Sequence, residues 1–139
     1  MAFRLAESCV LLLLNLHEGC RCILTFLEDF HSAGFCHRDI RLDNVIRCSD
    51  TYVVIDLELA ARADQPVFWR SDALPFDVAA RSRVYGQLDD LWQLGKLIRR
   101  VELAVAEDAV ASQIRHLASR LVQRDVPSAR AALEALQHL

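Results

Sequence analysis

The residues of this chain that are best suited to chemistry lie between positions 39 and 44. Asp39 is followed two residues later by Arg41 and five residues later by Asn44. A carboxylate can orient and deprotonate a hydroxyl, a guanidinium can neutralise developing charge, and an amide oxygen can bind a hard metal ion. This combination of side chains is suited to the transfer of a phosphoryl group.

A second carboxylate follows at the end of the next apolar segment. The β-branched run at 53–55 is followed directly by Asp56, twelve residues beyond Asn44. Amide and carboxylate oxygens are ligands that Mg²⁺ accepts in proteins. Asn44 and Asp56 are therefore the candidate metal ligands, and Asp39 is the candidate general base.

Two short strands must position these ligands. Residues 45–47 and 52–55 flank the turn residues Ser49 and Asp50, a pattern that predicts a β-hairpin. The hairpin would begin just after Asn44 and end just before the second carboxylate. It would therefore bring the two candidate ligands close together, as a shared metal ion requires.

Apolar periodicity predicts helices on both sides of the hairpin. The first is predicted over 20–33, with Gly34 placed to end it. Further helices are predicted over 88–101, 107–123 and 128–139. The helix over 88–101 is apolar on nearly all faces, which predicts that it is buried. The fold class that follows is α+β and mainly helical.

Length, charge and cysteine spacing narrow the function classes. A chain of 139 residues fits a single domain that buries about two-thirds of its unfolded surface. A formal charge of −3 argues against sequence-independent nucleic-acid binding. The five cysteines lack zinc-finger spacing, which indicates reduced thiols, and the apolar run at 10–14 is far too short to span a bilayer. We expect a soluble cytoplasmic or nuclear protein without a nucleic-acid or membrane partner.

Four segments of the chain together resemble one known fold. His37 to Asn44 is similar to the catalytic loop (H-R-D-x-x-x-x-N) of the eukaryotic protein kinase-like superfamily, and Asp56 to Glu58 is similar to its metal loop (D-F-G). Asp90 to Gly95 matches D-x-W-x-x-G, which opens the central helix of the kinase C-terminal lobe, and 121–130 resembles the closing L-x-x-D-P-x-x-R turn. The segments occur in the family's order, so the resemblance implies a kinase C-terminal lobe with a short β-hairpin beside the catalytic loop.

The resemblance also implies cofactors and roles for the candidate site residues. ATP and Mg²⁺ would be the cofactors, and Asp39 would accept the proton of the substrate hydroxyl. Arg41 would stand where kinases of the serine/threonine type usually place a lysine, and it would keep a positive charge near the γ-phosphate. Asn44 and Asp56 would hold the magnesium ion and, through it, the nucleotide.

By the resemblance, His37, Arg38 and Asp90 would support the site without touching the substrate. By the resemblance, Asp90 lies under the catalytic loop and accepts hydrogen bonds from the backbone near His37 and Arg38. In the family, the arginine at this position also pairs with a phosphorylated hydroxyl of the activation segment, which would correspond here to 59–76. Ser71 is the one hydroxyl that this segment offers.

Two departures from the family pattern bear on function. Glu58 replaces the glycine of D-F-G and would reach glycine's backbone angles only with strain, although an acidic residue is common there in aminoglycoside and choline kinases. Residues 1–9 contain neither a glycine nor a lysine, so they cannot supply the loop and lysine that cover the ATP phosphates in the family. The resemblance then covers the C-terminal lobe, with 10–14 as the last N-lobe strand and 15–19 as the hinge that touches adenine through its backbone. By periodicity alone, 9–14 is a buried strand or the start of a helix.

Three functions therefore stay open from the sequence. The first is a protein kinase fragment that transfers phosphate from ATP to protein serine or threonine and is slow or inactive alone. The second is a noncatalytic pseudokinase-type module, favoured by the absent lysine and by Glu58. The third is a remnant of a small-molecule phosphotransferase. In the first two, a protein substrate or partner would cover the face where the N-terminal lobe would sit.

Overall fold

The structure, a computed structural model, describes residues 15–69, 74–79, 83–102 and 109–138. The fold is α+β and mainly helical. Its elements, in chain order, are α1 (Leu16–Ser32), β1 (Phe35–Cys36), a 3₁₀ turn (Leu42–Asn44), β2 (Val45–Cys48), β3 (Thr51–Val54), β4 (Ala61–Arg62), α2 (Phe76–Ala79), α3 (Gln87–Glu102), α4 (Ala109–Gln123) and α5 (Ala129–Gln137). The strand considered at 10–14 and the first residues of the helix predicted from 107 lie outside the described ranges.

Helix α1 begins four residues earlier than the sequence pattern predicts. Asn15 is the N-cap, and its side-chain oxygen accepts a hydrogen bond from Glu18 N at 3.2 Å. An asparagine cap followed by an acidic first turn stabilises the start of a helix. The interpretation of 15–19 as an extended hinge is therefore wrong, because Leu16 to Gly19 form the first turn of α1. The helix ends as predicted, before Gly34, whose φ of 87° is one that glycine adopts without strain.

The predicted hairpin is confirmed. Strands β2 and β3 pair antiparallel, with Val45 opposite Val54 and Ile46 opposite Val53. The first pair is buried and packs toward α1, whereas Ile46 and Val53 are 41% and 39% exposed. Because successive side chains of a strand point to opposite faces, one face of the hairpin joins the core and the other is an open apolar surface.

The segment 59–76, which corresponds to the activation segment by the resemblance, contributes one strand to a second, smaller sheet. Strand β4 pairs antiparallel with β1, with Phe35 opposite Arg62 and Cys36 opposite Ala61. Each strand has two residues, which is too short for an alternating pattern to be visible in the sequence. This sheet fixes the start of the segment beside the end of α1.

The main core lies between α1, α3, α4 and α5. Helix α1 packs on α5 and on β3, and α3 packs on α4. The predicted helices over 88–101, 107–123 and 128–139 are confirmed where they are described, and Ser128 caps α5 by accepting a bond from Ala131 N at 3.1 Å. Among the described helices, none has the length and apolar character needed to cross a membrane.

The burial predicted for the whole of α3 is only partly correct. Its buried apolar residues form one face toward α4, and they are Leu91, Leu94, Leu97, Ile98 and Val101. Trp92 is only partly buried, and the Lys96 ammonium lies 5.6 Å from the centre of its ring. A tryptophan ring can bury its body while its edge meets solvent and a cation.

Gly95 permits the close approach of α3 and α4. A Cβ atom at this position would lie 2.9 Å from Ala118 O, 2.9 Å from Val122 Cγ2 and 3.0 Å from Leu121 Cβ. A backbone oxygen cannot move aside as the end of a flexible side chain can. The two helices can therefore keep this separation only while position 95 has no side chain.

We expect Gly95→Ala to lower the free energy of unfolding by about 1–3 kcal/mol because it overpacks this contact. Helix propensity acts in the opposite direction, since alanine alone would stabilise a helix by about 1 kcal/mol relative to glycine. Urea unfolding measures the sign of the net effect. Val122→Ala should relieve part of the loss when it is combined with Gly95→Ala, and a Gly95→Ala variant more stable than wild type would contradict the close packing.

Candidate active site

Asp90 is the buried anchor of the loop formed by residues 37–44. Its Oδ2 atom accepts hydrogen bonds from His37 N (2.8 Å) and His31 Nε2 (2.9 Å), and its Oδ1 atom accepts bonds from Arg38 N (2.8 Å) and the Tyr85 hydroxyl (2.8 Å). The residue has no exposed surface. A carboxylate can accept about four hydrogen bonds, so these donors use its full capacity.

Gln93 holds the same loop one turn further along α3. Its side-chain oxygen accepts a bond from Ile40 N (2.8 Å), and its nitrogen donates to Arg38 O (3.0 Å). Asp90 and Gln93 are three residues apart and so project from one face of the helix. The backbone is thereby held on both sides of Asp39. Sequence reasoning missed Gln93, although its i+3 spacing from Asp90 was a usable signal.

His37 connects the loop to the end of β3. Its Nε2 atom lies 3.0 Å from Ile55 O, and its Nδ1 atom lies 3.2 Å from Asp39 N. A carbonyl oxygen can only accept and a backbone N–H can only donate, so the ring is neutral and carries its proton on Nε2. In this tautomer, His37 fixes the separation between Asp39 and the residue that precedes Asp56.

Asn44 lies directly against the candidate base. Its side-chain nitrogen donates to Asp39 O at 2.9 Å and to Asp39 Oδ2 at 2.8 Å. Asn44 is buried, whereas Asp39 is partly exposed. These two bonds fix the orientation of the amide, and among the described residues none donates a hydrogen bond to its oxygen. The amide oxygen of Asn44 is therefore available to an incoming cation.

Asp56 follows β3 at the open end of the hairpin, the same end at which Asn44 precedes β2. Ile55 N donates to Asn44 O at 2.8 Å, which places Asp56 one residue from a direct backbone contact with Asn44. The side chain of Asp56 is exposed, and its Oδ1 atom accepts a bond from Glu58 N at 3.2 Å. The structure thus brings Asp39, Asn44 and Asp56 to one end of the hairpin.

The backbone strain expected at Glu58 is located elsewhere. Glu58 is absent from the non-glycine residues with positive φ, whereas Asp56 has a φ of 65°. The expectation for Glu58 is therefore wrong, because the residue with a positive φ in the turn after β3 is Asp56. A non-glycine residue in this region costs about 1–3 kcal/mol, and such residues cluster at functional sites. Arg38, with a φ of 73°, is a second case in the same loop.

Arg41 lies at the surface of the loop. Its guanidinium forms an ion pair with Asp43, and both side chains are about half exposed. The pair keeps the Arg41 guanidinium next to the loop, but exposed pairs of this kind contribute only about 0–1 kcal/mol. Arg41 can therefore exchange Asp43 for another anion at little cost.

Arg38 points away from Asp39 toward the segment after β4. Its guanidinium donates to Gln65 O at 2.9 Å and to Pro66 O at 3.4 Å. The Cζ atom lies 5.8 Å from the centre of the Trp69 ring and 5.7 Å from the centre of the Tyr85 ring. Arg38 is 4% exposed and is thus an internal cation bound by carbonyl oxygens and aromatic rings.

Asp89 forms a buried ion cluster that sequence reasoning missed. Arg83 donates to both of its oxygens at 2.7 Å, and Arg124 donates to Oδ1 at 2.8 Å. Asp89 also accepts a bond from Gly86 N at 2.8 Å, as the third residue of a helix does when it caps the first turn. An aspartate three residues after a glycine at a helix start was the available signal.

An open cavity lies beside Asp89. Its volume is about 510 Å³, and its lining includes His31, Arg83, Asp89 and Arg124. None of the three residues at the end of the hairpin lines it. Two of its lining residues, Arg83 and Arg124, both donate hydrogen bonds to Asp89.

A buried group of His31, Cys36 and Asp90 has the residue types of a transition-metal site. All four acceptor positions of Asp90 are already used by hydrogen bonds, one of them from His31. Burial, with the nearby Asp90 carboxylate, raises the pKa of the Cys36 thiol to about 12. A protonated thiol and a fully engaged carboxylate fit a hydrogen-bonded core better than a metal centre.

Comparisons with models of known protein families and with curated proteins gave no match to this chain.

Proposed function

We propose that the chain carries a phosphoryl-transfer site of the protein kinase type, which uses Mg²⁺ and ATP and takes the hydroxyl of a protein serine or threonine as acceptor. The observation that carries this proposal is the convergence of Asp39, Asn44 and Asp56 at one end of the β2–β3 hairpin. The side-chain nitrogen of Asn44 donates a hydrogen bond to Asp39 Oδ2. Its backbone carbonyl accepts one from Ile55 N, the residue before Asp56. A base and two hard oxygen ligands within one small region meet the needs of this reaction.

The donor set fits magnesium. Asn44 would contribute a neutral amide oxygen and Asp56 an anionic one, and Mg²⁺ prefers oxygen ligands in octahedral geometry. Two protein ligands leave most of that geometry to water and phosphate oxygens, as is usual for magnesium bound together with a nucleotide. Bound magnesium would neutralise negative charge on the transferred group.

The remaining residues have roles that this chain can perform by itself. Asp39 accepts the proton of the attacking hydroxyl, and the bonds from Asn44 hold its carboxylate in place. Arg41 exchanges its exposed partner Asp43 for the incoming phosphate charge. Ile46 and Val53 are exposed cross-strand partners on the same hairpin, and they would offer apolar contact to the face of a planar base.

A second candidate function is a noncatalytic binding module. The open face of the hairpin favours it, since Ile46 and Val53 are 41% and 39% exposed, and Leu57, three residues beyond β3, is 53% exposed. Neighbouring apolar side chains left in solvent often mark a surface that a protein partner covers. In this case Asp39, Asn44 and Asp56 would serve the shape of the loop and would not transfer phosphate.

We expect Mg²⁺ with millimolar ATP to raise the melting temperature of the wild-type protein, and Asp56→Asn to abolish that rise. The variant removes the one anionic ligand while it keeps the size of the side chain. Asp50→Asn is the matched control, because Asp50 is an exposed carboxylate at the hairpin turn and lies outside the site. Thermal denaturation with and without Mg²⁺ measures the difference.

Two results decide between the candidate functions. Absence of any magnesium-dependent shift in the wild-type protein would favour the binding module. If the shift is present, transfer of labelled phosphate to a generic protein, compared with transfer to choline or an aminoglycoside, identifies the acceptor class. Labelling of the small molecules alone would replace the protein kinase proposal with a metabolite phosphotransferase.

A further inference from the structure

Hydrogen bonds and ring contacts join the segment from Asp64 to Trp69 to Arg38 of loop 37–44 and to Tyr85. Asp64 N donates to Tyr85 O at 2.9 Å, and Tyr85 N donates to Gln65 O at 3.2 Å. Gln65 O also accepts the bond from Arg38, so both of its lone pairs are engaged. The carbonyl oxygen of Gln65 therefore connects the segment both to Arg38 of the loop and to Tyr85, which lies two residues before α3.

The guanidinium of Arg38 lies at the centre of these contacts. Two backbone carbonyls bind its terminal nitrogens, and the rings of Trp69 and Tyr85 lie within 6 Å, a distance at which a cation is attracted to an aromatic ring. Tyr85 is fully buried, and its hydroxyl is bonded to Asp90. The same group thus connects the segment to the residue that holds the backbone of loop 37–44.

The neighbouring apolar side chains complete this connection. Val67 is buried in a small cluster with Cys36, Leu74, Val78 and Tyr85, and Trp69 packs against that cluster. Phe68, between Val67 and Trp69, is 78% exposed and does not belong to this cluster. The segment therefore presents one aromatic residue to the arginine and the adjacent one to solvent.

We propose that Arg38 and Trp69 are positioning residues, which hold the segment from Asp64 to Trp69 against loop 37–44 in the unphosphorylated protein. The site then needs no phosphate on Ser71 or elsewhere to set the position of Asp39. Both bound nitrogens of Arg38 already have acceptors, and the remaining nitrogen, Nε, is buried without a partner. The two carbonyls use two of the five N–H donors of the guanidinium, and Arg38 is only 4% exposed, so an anion could reach the other donors only if the surrounding segment moved.

This inference rests on the proposed function only for its catalytic consequence, because the attachment of the segment can be measured without nucleotide. Amide hydrogen exchange of the unphosphorylated protein reports it at Asp64 and Tyr85, whose N–H groups form the two backbone bonds described above. We expect Trp69→Leu to speed exchange at these two amides about tenfold, since it removes the ring but keeps an apolar side chain. Amides in the middle of α1 and α4 should exchange at the wild-type rate.

Two further variants separate a positioning role from a loss of general stability. Trp69→Phe keeps an aromatic ring beside Arg38 and should restore most of the protection that Trp69→Leu removes. Phe68→Leu makes the same chemical change at the exposed neighbour and should leave exchange unaltered. Uniform acceleration over the whole chain in Trp69→Leu, or an equal effect of Phe68→Leu, would overturn the assignment of Trp69.

The independence from phosphate is tested with Ser71→Ala. This variant should show wild-type exchange at Asp64 and Tyr85, and any transfer activity should also be unchanged. Protection of these amides that appears only after Ser71 is phosphorylated, as verified by mass spectrometry, would overturn the proposal. If the exchange results hold and no transfer is found under any condition, the proposed function fails while the positioning of the segment stands.

Discussion

Replacement of Asp90 by alanine is expected to lower the free energy of unfolding by about 3–5 kcal/mol, the range for removing one partner of a buried charged network. Asp90 accepts hydrogen bonds from two backbone N–H groups, from His31 and from Tyr85, and it has no contact with solvent. Each donor left unsatisfied in the interior costs about 1–3 kcal/mol. Equilibrium urea unfolding measures the loss directly.

The matched control for this variant is Asp29→Ala. Asp29 is an exposed aspartate on α1, and its replacement should change stability by no more than about 0.5 kcal/mol. Asp90→Asn should give an intermediate loss, since the amide group must turn its nitrogen toward at least one of the four donors. If Asp90→Ala were as stable as Asp29→Ala, this result would contradict the role of Asp90 as the anchor of loop 37–44.

Replacement of Asp39 by asparagine is expected to lower the rate of phosphoryl transfer by about 10²–10⁴-fold, which is the usual contribution of a positioned general base. The side-chain oxygen of asparagine can still accept the bond that Asn44 donates to Asp39 Oδ2. The loop should therefore keep its shape while it loses the group that accepts the proton. Initial rates of labelled phosphate transfer to protein, for wild type and variant, measure the effect.

Measuring the affinity for the nucleotide shows whether Asp39→Asn loses the general base or loses nucleotide binding. If Asp39 acts as the base, the affinity for ATP with Mg²⁺ should stay close to the wild-type value while the rate falls. Asp43→Asn is the control, because Asp43 is an exposed carboxylate of the same loop that pairs with Arg41. A rate for Asp39→Asn that equals the rate for Asp43→Asn would contradict the role of Asp39.

The sequence was sufficient to predict the elements whose patterns are long. Helices α1, α3, α4 and α5 follow the 3.6-residue spacing of their apolar residues, and the β2–β3 hairpin follows its turn residues. The approach of Asn44 to Asp56 was predictable from that hairpin. The first turn of α1 was not predicted because the family resemblance placed a hinge at 15–19, where Asn15 instead caps the helix.

The parts that could not be predicted depend on contacts between distant residues. His31 carries no local signal that it binds Asp90, because the two residues are 59 positions apart in the chain and lie on different helices. The attraction between Arg38 and Trp69 likewise joins residues 31 positions apart in the chain. Such contacts are set by tertiary structure, which periodicity and short motifs do not encode.

We propose that Asp39, Asn44 and Asp56 form one site for a metal ion and a nucleotide phosphate. The most direct test is paramagnetic broadening of backbone amide signals by Mn²⁺ in the presence of ATP, since this effect detects even weakly populated complexes. The account predicts selective broadening at 39–45 and 55–58, reversed by excess Mg²⁺ and lost in Asp56→Asn. Broadening confined to exposed carboxylates such as Asp125 and Glu134, with the signal of Asp56 unaffected, would contradict it.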